Sequence, residues 1–305
     1  MRELDFIDWI RSQRECDPAV VPVGPGDDCA VVVAGGERLL VSTDQLLDGV
    51  HFHLQTDGAE AFGRKAMARA LSDIAAMAAV PLAAVACVSL PKGFSRQDAE
   101  AMYRGRRAIG DRFNCPMVGG DLATWDGPAA ISVTVFGRTD GIEPVLRSGA
   151  KVGDAICVTG QLGGAWLSDR HLTFVPRIAE ARALASRFDL HAMIDISDGL
   201  ALDLWRLCRA SGIGADVEAR QVPVHFQAEA GRKDVLPLEA ALGDGEDYEL
   251  LFTLPHDQAG HLLAAQPLEA PVSRIGTIIE ARAMSLVDAK GHRKPLQPTG
   301  WQHQT

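Results

Sequence analysis

Short apolar runs and longer helical segments alternate through both halves of this 305-residue chain, and this alternation restricts the fold more than any other feature. Strands are predicted at 29–33, 39–42, 50–54, LAAVACVSL, PMVGGD and AAISVTVFG in the first half, and at DAICVTG, AMIDIS, YELLFTL and VSRIGTII in the second. Helices are predicted at 4–13, 61–79, SRQDAEAMYRGRRAIGDRF with Ser95 as N-cap, PRIAEARALASRF and DGLALDLWRLCRAS. Each half is therefore predicted to be α/β.

A polar, turn-rich segment, RTDGIEPVLRSGAKVGD at residues 138–154, separates the two halves. A chain of this length can build two hydrophobic cores. We therefore predict an N-terminal domain over residues 1–138 and a C-terminal domain over residues 139–305.

The overall composition excludes several classes of protein. Hydrophobic residues make up 47% and charged residues 23%, as in soluble globular proteins, and the net charge of −10 argues against a general nucleic-acid binder. The most apolar stretch, IAAMAAVPLAAVACVSL, is interrupted by Pro81 and is shorter than the ~20 residues of a membrane-spanning helix. The first residues are charged and do not resemble a signal peptide. Six scattered cysteines without a C-x-x-C pair predict reduced thiols and a cytoplasmic protein.

Aspartates recur in short motifs with small or hydroxyl-bearing neighbours, and these motifs are expected where predicted strands end. They are GDD (26–28), STD (42–44), LSD (71–73), GGD (119–121) and DISD (195–198). Loops at strand ends are the usual location of sites in α/β folds. Asp is also a favoured N-cap and turn residue, so each motif alone has an equally good structural explanation. Five motifs in one chain favour a shared site.

The donor chemistry of these motifs indicates a metal–phosphate ligand. Carboxylates, hydroxyls and carbonyls are hard oxygen donors, which favour Mg²⁺, Ca²⁺ or Mn²⁺ over zinc or copper. No EF-hand loop can be drawn through GDGEDYELL, and Mg²⁺ typically binds a few carboxylates together with substrate phosphates. The chain has no P-loop, no H-R-D or D-F-G motif and no G-x-S-x-G elbow, which excludes the commonest kinase and hydrolase classes.

Taken in order, GDDCAV, STDQLLDGVHF, ALSDIAAMAA, GGD, RSGAKVGD, DISDGL and GEDYELLF resemble the thiamine-monophosphate kinase family, from about Gly24 to the C-terminus. That family belongs to a group of ATP-using enzymes with aminoimidazole ribonucleotide synthetase, selenophosphate synthetase and a hydrogenase-maturation protein. The resemblance implies transfer of the γ-phosphoryl group of ATP onto thiamine monophosphate, giving thiamine diphosphate. It also implies a homodimer in which N-terminal α/β domains pair into a barrel-like sheet, while a C-terminal α/β domain with a mixed sheet completes each site.

The resemblance also implies functional residues, position by position. Several Mg²⁺ ions are expected at Asp28, Ser42, Thr43, Asp44, Asp73, Asp121, Asp195 and Asp198. Contacts with ATP are expected at Tyr103, Gly120, Asp121, Arg147 and Ser197. Contacts with thiamine phosphate are expected at His51, Glu246 and Trp301. Between TGQLGGAWLSD and RHLTFVPRI the chain lacks most of a helical segment that the family usually has, which is expected to trim the C-terminal domain.

Elementary electrostatics makes these roles reasonable. Two unit charges 4 Å apart repel by about 4 kcal/mol at an effective dielectric constant of 20, and each phosphate carries more than one charge. Metal ions among the aspartates would cancel this repulsion and align the groups for in-line transfer. The acceptor phosphate has a second pKa of about 6 and is mostly deprotonated at pH 7, so no dedicated catalytic base is predicted.

Structural explanations stay open for several residues. Asp195 and Asp198 have the alternative role of capping the helix that begins near Leu200. The alternative for His51 is a surface histidine in a strand, and for Trp301 a loose hydrophobic cover. Tyr103 lies among arginines, where a solvated basic face is an equal explanation.

Two other functions also stay open. One is another ATP-using member of the same group, and the other is a non-catalytic protein that binds nucleotide or thiamine phosphate. The chain has neither a reactive cysteine beside a glycine-rich loop upstream of Gly24, as selenophosphate synthetases usually have, nor the C-terminal cysteine of the hydrogenase-maturation relative. Both absences favour the kinase.

Overall fold

The first half of the chain builds a five-stranded mixed sheet. Its strands are β1 Ala30–Ala34, β2 Glu37–Leu47, β3 Val80–Pro91, β4 Met117–Trp125 and β5 Ala130–Arg138. Its helices are α1 Glu3–Ser12, α2 Leu54–Asp57, α3 Ala59–Ala76 and α4 Arg96–Arg112. In the computed structural model, which describes residues 3–12, 16–231 and 235–302, the strand order is β1-β2-β5-β3-β4. β3 and β4 run parallel, and the other neighbours run antiparallel.

The second half builds a seven-stranded mixed sheet. Its strands are β6 Ala155–Thr159, β7 Ala192–Asp195, β8 Gly214–Glu218, β9 Leu250–Leu254, β10 Val272–Ile279, β11 Met284–Val287 and β12 Arg293–Pro295. Its helices are α5 Arg170–Thr173, α6 Ile178–Ala185, α7 Leu200–Ser211, α8 Phe226–Gly231, α9 Pro237–Gly243 and α10 His256–Ala265. The strand order is β12-β11-β8-β10-β6-β9-β7, in which only β11 and β8 pair in parallel among the described strands. The chain is therefore a two-domain α/β protein with two mixed sheets.

Helix α3 joins the two halves because it packs against both. It contacts β2, β3, β5 and α4 of the first half, and α5, α6 and β7 of the second. Its glycine and alanine residues permit this close packing: a Cβ atom at Gly63 would lie 1.9 Å from the carbonyl oxygen of Met102 in α4. The helix thereby carries four polar side chains between the two sheets, at positions 65, 69, 72 and 73.

The predicted strand at residues 50–54 is wrong. The amides of Val50 and His51 both donate to the carbonyl of Leu47, which closes a turn directly after β2. The carboxylate of Asp48 then accepts the amide of Leu54, where the short helix α2 begins. Local turn formation thus wins over the alternation of side chains in this segment.

Other predictions have simpler outcomes. Ser95 caps α4 by accepting the amide of Asp98, as predicted, and the predicted N-terminal helix is present up to Ser12, while Gln13 lies outside the described residues. The boundary between residues 138 and 139 stays a prediction, since the first sheet ends at Arg138 and the second begins only at Ala155.

Four of the six cysteine thiols are buried, and none of the six is paired in a disulfide. The exposed ones are Cys16 and Cys87. Among the described helices, none combines the length and the apolar character needed to cross a bilayer.

Candidate active site

A cavity of about 750 Å³ lies between the two halves and is lined by residues from both. Nine of the fifteen residues expected to form the site line it: Asp44, His51, Asp73, Arg147, Asp195, Ser197, Asp198, Glu246 and Trp301. They come from β2 and the turn after it, α3, the segment before β6, the loop after β7, the loop before β9 and the C-terminal segment. The chain thus brings motifs that are distant in sequence to one cavity.

Three aspartates form an acidic cluster at this cavity. The cluster consists of Asp28, Asp73 and Asp195, which offer carboxylate oxygens within 4.8 Å of one another. Two hydroxyl groups orient these carboxylates: Ser72 donates to Asp195 at 2.6 Å, and Ser42 donates to Asp73. Hydroxyl donors from α3 and β2 therefore fix the cluster even though its members come from three separate segments.

Burial and mutual repulsion hold protons on the acidic cluster. Burial and, after it, the negative charge of Asp28 raise the pKa of Asp195 to about 8. Burial and the charge of Asp195 raise the pKa of Asp73 well above its ordinary value. A bound cation would lower the energy of this excess buried negative charge. The donor atoms of the cluster are carboxylate oxygens, which are hard ligands. The cluster therefore fits a divalent cation such as Mg²⁺.

Arg147 explains how the adjacent Asp27 and Asp28 coexist. The guanidinium of Arg147 binds Asp28 through two contacts, Nη2 to Oδ1 at 2.6 Å and Nε to Oδ2 at 3.1 Å. The backbone amide of Arg147 approaches the carboxylate of Asp27 at 3.2 Å. Burial and the charge of Asp28 still raise the pKa of Asp27 to about 6. The positive group beside the acidic pair is thus an arginine of the chain itself.

A second arginine holds Asp44. Arg69 donates from Nε and Nη2 to the two carboxylate oxygens of Asp44, at 2.9 and 3.1 Å. Its third nitrogen, Nη1, lies 3.8 Å from Oε1 of Glu246 and has no hydrogen bond to any described residue. Arg69 therefore links an expected metal ligand with an expected substrate contact.

Lys65 is buried beside three residues that line the cavity, His51, Glu246 and Trp166. Its buried ammonium group contacts three acceptors: the carbonyl of His51 at 2.7 Å, Nδ1 of His171 at 2.9 Å and Oε2 of Glu246 at 2.5 Å. It also lies 4.8 Å from the ring centroid of Trp166, which stacks on His171 at 4.0 Å. Burial lowers the pKa of Lys65, and burial with the charge of Lys65 lowers the pKa of His171 to about 3. His171 is therefore neutral at pH 7 and acts as an acceptor.

The acidic residues around Glu246 divide into two groups. Asp247 is fixed by the amide of Gly163 and by Arg170, while Glu249 is fixed by Arg177 and Thr159. Asp244 and Glu246 instead line the cavity. Glu246 adopts a left-handed backbone conformation with φ of 61°, and its amide donates to the carbonyl of Ser197. These contacts distinguish Glu246 from two of its three acidic neighbours, a distinction that composition cannot make.

Neither Asp195 nor Asp198 caps helix α7, so the capping alternative is wrong. The N-cap residue is Gly199, and its amide, like that of Asp198, donates to the carboxylate of Asp203 within the helix. Asp198 instead pairs with Arg206 at 2.6 Å and lines the cavity. His51 is likewise buried in a turn rather than exposed in a strand.

Four expected site residues lie away from the cavity in this single chain. Thr43 points to the opposite face of β2 from Ser42 and Asp44, where it contacts Thr134. Gly120 and Asp121 lie on the exposed strand β4, and Tyr103 is exposed on α4. Close packing alone explains Gly120, since a Cβ atom there would lie 2.1 Å from the carbonyl oxygen of Ala86 in β3.

The motifs do not all lie at strand ends. GDD lies in a loop and DISD begins at the last residue of β7, as expected, but STD lies inside β2, GGD lies inside β4 and LSD lies inside α3.

Sequence reasoning missed several residues in and beside the cavity. Among those that line it are Arg69, Trp166, Arg206 and Tyr248. The buried hydroxyl of Tyr248 has no hydrogen-bond partner among the described residues. Lys65, discussed above, is buried beside the cavity and contacts Glu246. Two of them left a signal in the sequence. Lys65 and Arg69 lie one turn apart in an alanine-rich helix that was expected to be buried, and buried cations require anionic partners.

Comparisons with known proteins agree with this architecture. Family models match residues 26–139 as "AIR synthase related protein, N-terminal domain" and residues 151–289 as "AIR synthase related protein, C-terminal domain". A thiamine-monophosphate kinase of Rhodopirellula baltica is 37% identical, over 99% of this chain and 97% of its own length. A solved structure described as "AaThiL complexed with AMPPCP and TMP" is 29% identical with a TM-score of 0.84, covering 99% of this chain and 97% of that one. The thiamine-monophosphate kinase from Stenotrophomonas maltophilia is 30% identical with a TM-score of 0.74, covering 95% and 96%.

These matches confirm the resemblance carried by the ordered motifs. They extend over nearly the whole chain and nearly the whole of each relative, so they are not limited to one shared domain. The chain belongs to the thiamine-monophosphate kinase family of enzymes, within the AIR synthase related proteins.

Proposed function

We propose that this protein uses ATP to phosphorylate thiamine monophosphate, giving thiamine diphosphate by direct in-line transfer. The observation that carries the proposal is the convergence of the acidic cluster with His51, Glu246 and Trp301 on one cavity. The relatives support it: one is a thiamine-monophosphate kinase at 37% identity, and AaThiL was solved with TMP and with AMPPCP, an analogue of ATP. Both substrates are anions, which an acidic cavity accepts only with added positive charge.

Cationic and hydrogen-bonding groups of the chain supply part of what two phosphates need. Arg147 and Arg206 line the cavity, and their guanidinium groups can bind phosphate oxygens in place of the carboxylates that they hold here. Nδ1 of His51 accepts the amide of Leu47 at 3.2 Å, so the proton of the neutral ring resides on Nε2. His51 is therefore a hydrogen-bond donor to substrate, and the acceptor phosphate needs no catalytic base.

Magnesium belongs to the same proposal. The residues that would hold several Mg²⁺ ions are the acidic cluster with Ser42, Thr43, Asp44, Asp121 and Asp198. Since the side chain of Thr43 points away from Asp44, its contribution would come from the backbone carbonyl. Bound Mg²⁺ would neutralise the charge of the phosphoryl group in transfer.

The proposed homodimer accounts for two of the expected residues that lie outside the cavity, Gly120 and Asp121. Strand β4 is an edge of its sheet, and it exposes Val118, Leu122 and Trp125. Long apolar edges are rarely left uncovered in stable proteins. A second copy paired at β4 would close a barrel-like sheet and bury Gly120 and Asp121 at the interface. We place this dimer in the cytoplasm, where its cysteines stay reduced.

The test is an assay of thiamine diphosphate formation from ATP, Mg²⁺ and either thiamine monophosphate or free thiamine. Product is expected from the monophosphate alone. Asp195→Asn should lose turnover, whereas Asp154→Asn, a change at a buried aspartate outside the cavity, should retain it. Absence of product over a wide range of Mg²⁺ would refute the kinase proposal. Tight calorimetric binding of both ligands without product would then identify a non-catalytic binding protein.

A further inference from the structure

The segment of residues 147–150 precedes β6 and carries Arg147, which lines the cavity. On one side this segment lies against the residue before β7, since a Cβ atom at Gly149 would lie 2.5 Å from the carbonyl oxygen of His191. Gly149 has φ of 120°, a backbone conformation that residues with a side chain rarely adopt. A glycine is therefore needed for this close approach to the start of β7.

On the other side, the hydroxyl of Ser211 holds the same segment. Ser211 is the last residue of α7, and its Oγ accepts the amides of Gly149 and Ala150 at 3.1 and 3.2 Å and donates to the carbonyl of Arg147 at 3.2 Å. A serine hydroxyl has one donor and two acceptor positions, so these contacts use its full capacity. Serine in a helix often bonds back to its own helix, whereas these three contacts reach 61 to 64 positions back along the chain.

Ser211 is itself at a fixed point of the second half. Helix α7 packs Leu204, Leu207 and Cys208 into the hydrophobic core there. Gly212 ends the helix in a left-handed conformation, and Arg282 donates to its carbonyl at 3.1 Å. The hydroxyl that holds the segment is thus carried by a well-anchored helix end.

The contacts of Arg147 divide into backbone contacts and one side-chain contact. Its amide approaches Asp27 at 3.2 Å and its carbonyl accepts the hydroxyl of Ser211, while its guanidinium binds Asp28. Asp28 belongs to the acidic cluster. If Asp28 serves as a metal ligand, the guanidinium loses this partner and the two backbone contacts remain. A side chain that turns about a fixed backbone brings its charge to one defined place, which lowers the entropy cost of binding an anion there.

We propose that Ser211 is a positioning residue for nucleotide binding, which fixes the backbone of residues 147–150 so that the guanidinium of Arg147 reaches the phosphates of ATP. This inference rests on the proposed function, because it takes Arg147 as a contact with ATP. Ser211 does not touch the nucleotide in this proposal, and it acts only through Arg147.

The experiment measures the affinity for AMPPCP with Mg²⁺, and separately for thiamine monophosphate, by calorimetry. The variants are Ser211→Ala and Ser211→Thr, which keeps a hydroxyl, each made in the wild type and in Arg147→Met. The matched control is Ser186→Ala, because Ser186 also ends a helix, α6, but donates to the carbonyl of Ala183 in that same helix. Thermal unfolding of each variant establishes that it is folded.

Ser211→Ala should weaken the binding of AMPPCP about tenfold, equivalent to about 1.4 kcal/mol, and leave the binding of thiamine monophosphate unchanged. Ser211→Thr should stay within about twofold of the wild type, and Ser186→Ala should change neither affinity. In Arg147→Met, which should itself bind AMPPCP more weakly, Ser211→Ala should cause no further loss.

The same loss from Ser211→Ala in both backgrounds would show a general structural role and overturn the proposal. Equal losses for both ligands, no loss for AMPPCP, or no rescue by threonine would also overturn it, and these three outcomes do not depend on the Arg147 variant. Wild-type binding of both ligands without turnover would reject the kinase proposal and leave Ser211 to be judged by these affinities. Wild type that binds no AMPPCP would reject both.

Discussion

Replacing Asp195 by Asn should stabilise the protein at alkaline pH when no metal is present. The folded state must otherwise ionise Asp195 within 4.8 Å of two other carboxylates and away from water. Asparagine keeps an oxygen that can accept the hydroxyl of Ser72, now 2.6 Å from Asp195, and removes the charge. A polar side chain that favours function over stability is common in active sites.

Two calculations give the expected gain in the free energy of unfolding for Asp195→Asn. Unit charges 4.8 Å apart repel by about 3 kcal/mol at an effective dielectric constant of 20. The pKa of Asp195 is raised from 3.8 to about 8, and at about 1.4 kcal/mol per unit this corresponds to about 6 kcal/mol, burial included. Because the folded pKa is raised, the folded state binds the extra proton between pH 4 and pH 8, and the free energy of unfolding falls as pH rises through this window. The advantage of Asn should therefore be about 3 to 6 kcal/mol above pH 8 and vanish near pH 4.

Thermal and urea unfolding in EDTA, measured from pH 4 to pH 9, test this prediction. A gain of 3 kcal/mol corresponds to at least ~5 °C in the unfolding midpoint. Saturating Mg²⁺ should reverse the order, because it stabilises only the protein that binds it. Asp154→Asn is the control, since Asp154 is equally buried but pairs with His191, and a change that weakens this pair should give no gain in stability. Equal midpoints for wild type and Asp195→Asn at pH 9 would refute the reasoning.

Three further predictions concern charged and apolar groups around the cavity. Lys65→Met should lower the free energy of unfolding by about 3–5 kcal/mol in urea titrations, because it removes the cation 2.5 Å from the partly buried carboxylate of Glu246 and leaves only Arg69, 3.8 Å away; Lys65→Met with Glu246→Gln should recover part of the loss. Asp44→Ala should be less stable than Asp44→Asn by about 1–3 kcal/mol in the same assay, since the alanine leaves the half-buried Arg69 without an acceptor; equal stabilities would contradict this role. Leu122→Asp on the edge strand should yield monomers in analytical ultracentrifugation where the wild type sediments as a dimer, and a dimeric variant would argue for another interface.

The sequence predicted the fold class, nine of the twelve described strands and five of the ten described helices, because periodicity of side chains is a local property. It failed at residues 50–54, where hydrogen bonds to the carbonyl of Leu47 and the carboxylate of Asp48 form a turn. It also placed STD at a strand end, although β2 continues to Leu47. The continuation matters for function, since strand alternation inside β2 separates Thr43 from its two neighbours.

The sequence could not predict which side chains from distant segments bind each other, and the physical reason is different. Arg147 and Asp28 are 119 positions apart, and Lys65 and His171 are 106 apart, so no local pattern connects them. Two cations in an alanine-rich helix require anionic partners if they are buried. The sequence could not say which of many acidic residues supplies them, because that choice depends on how the two sheets are placed around α3.

The ligand-free site compensates its negative charge with arginines and protons, and this arrangement has a consequence for metal binding. Arg147 neutralises Asp28, and Arg69 neutralises Asp44, while Asp195 retains a proton up to about pH 8. A divalent cation that binds the acidic cluster competes with that proton, so binding must release it. The apparent affinity for Mg²⁺ should therefore rise between pH 6 and pH 8, and calorimetry in two buffers of different ionisation enthalpy should detect proton release at pH 7, of which about one proton per site comes from Asp195. Proton release unchanged in Asp195→Asn would show that the proton comes from elsewhere, and that Asp195 is already ionised when the metal arrives.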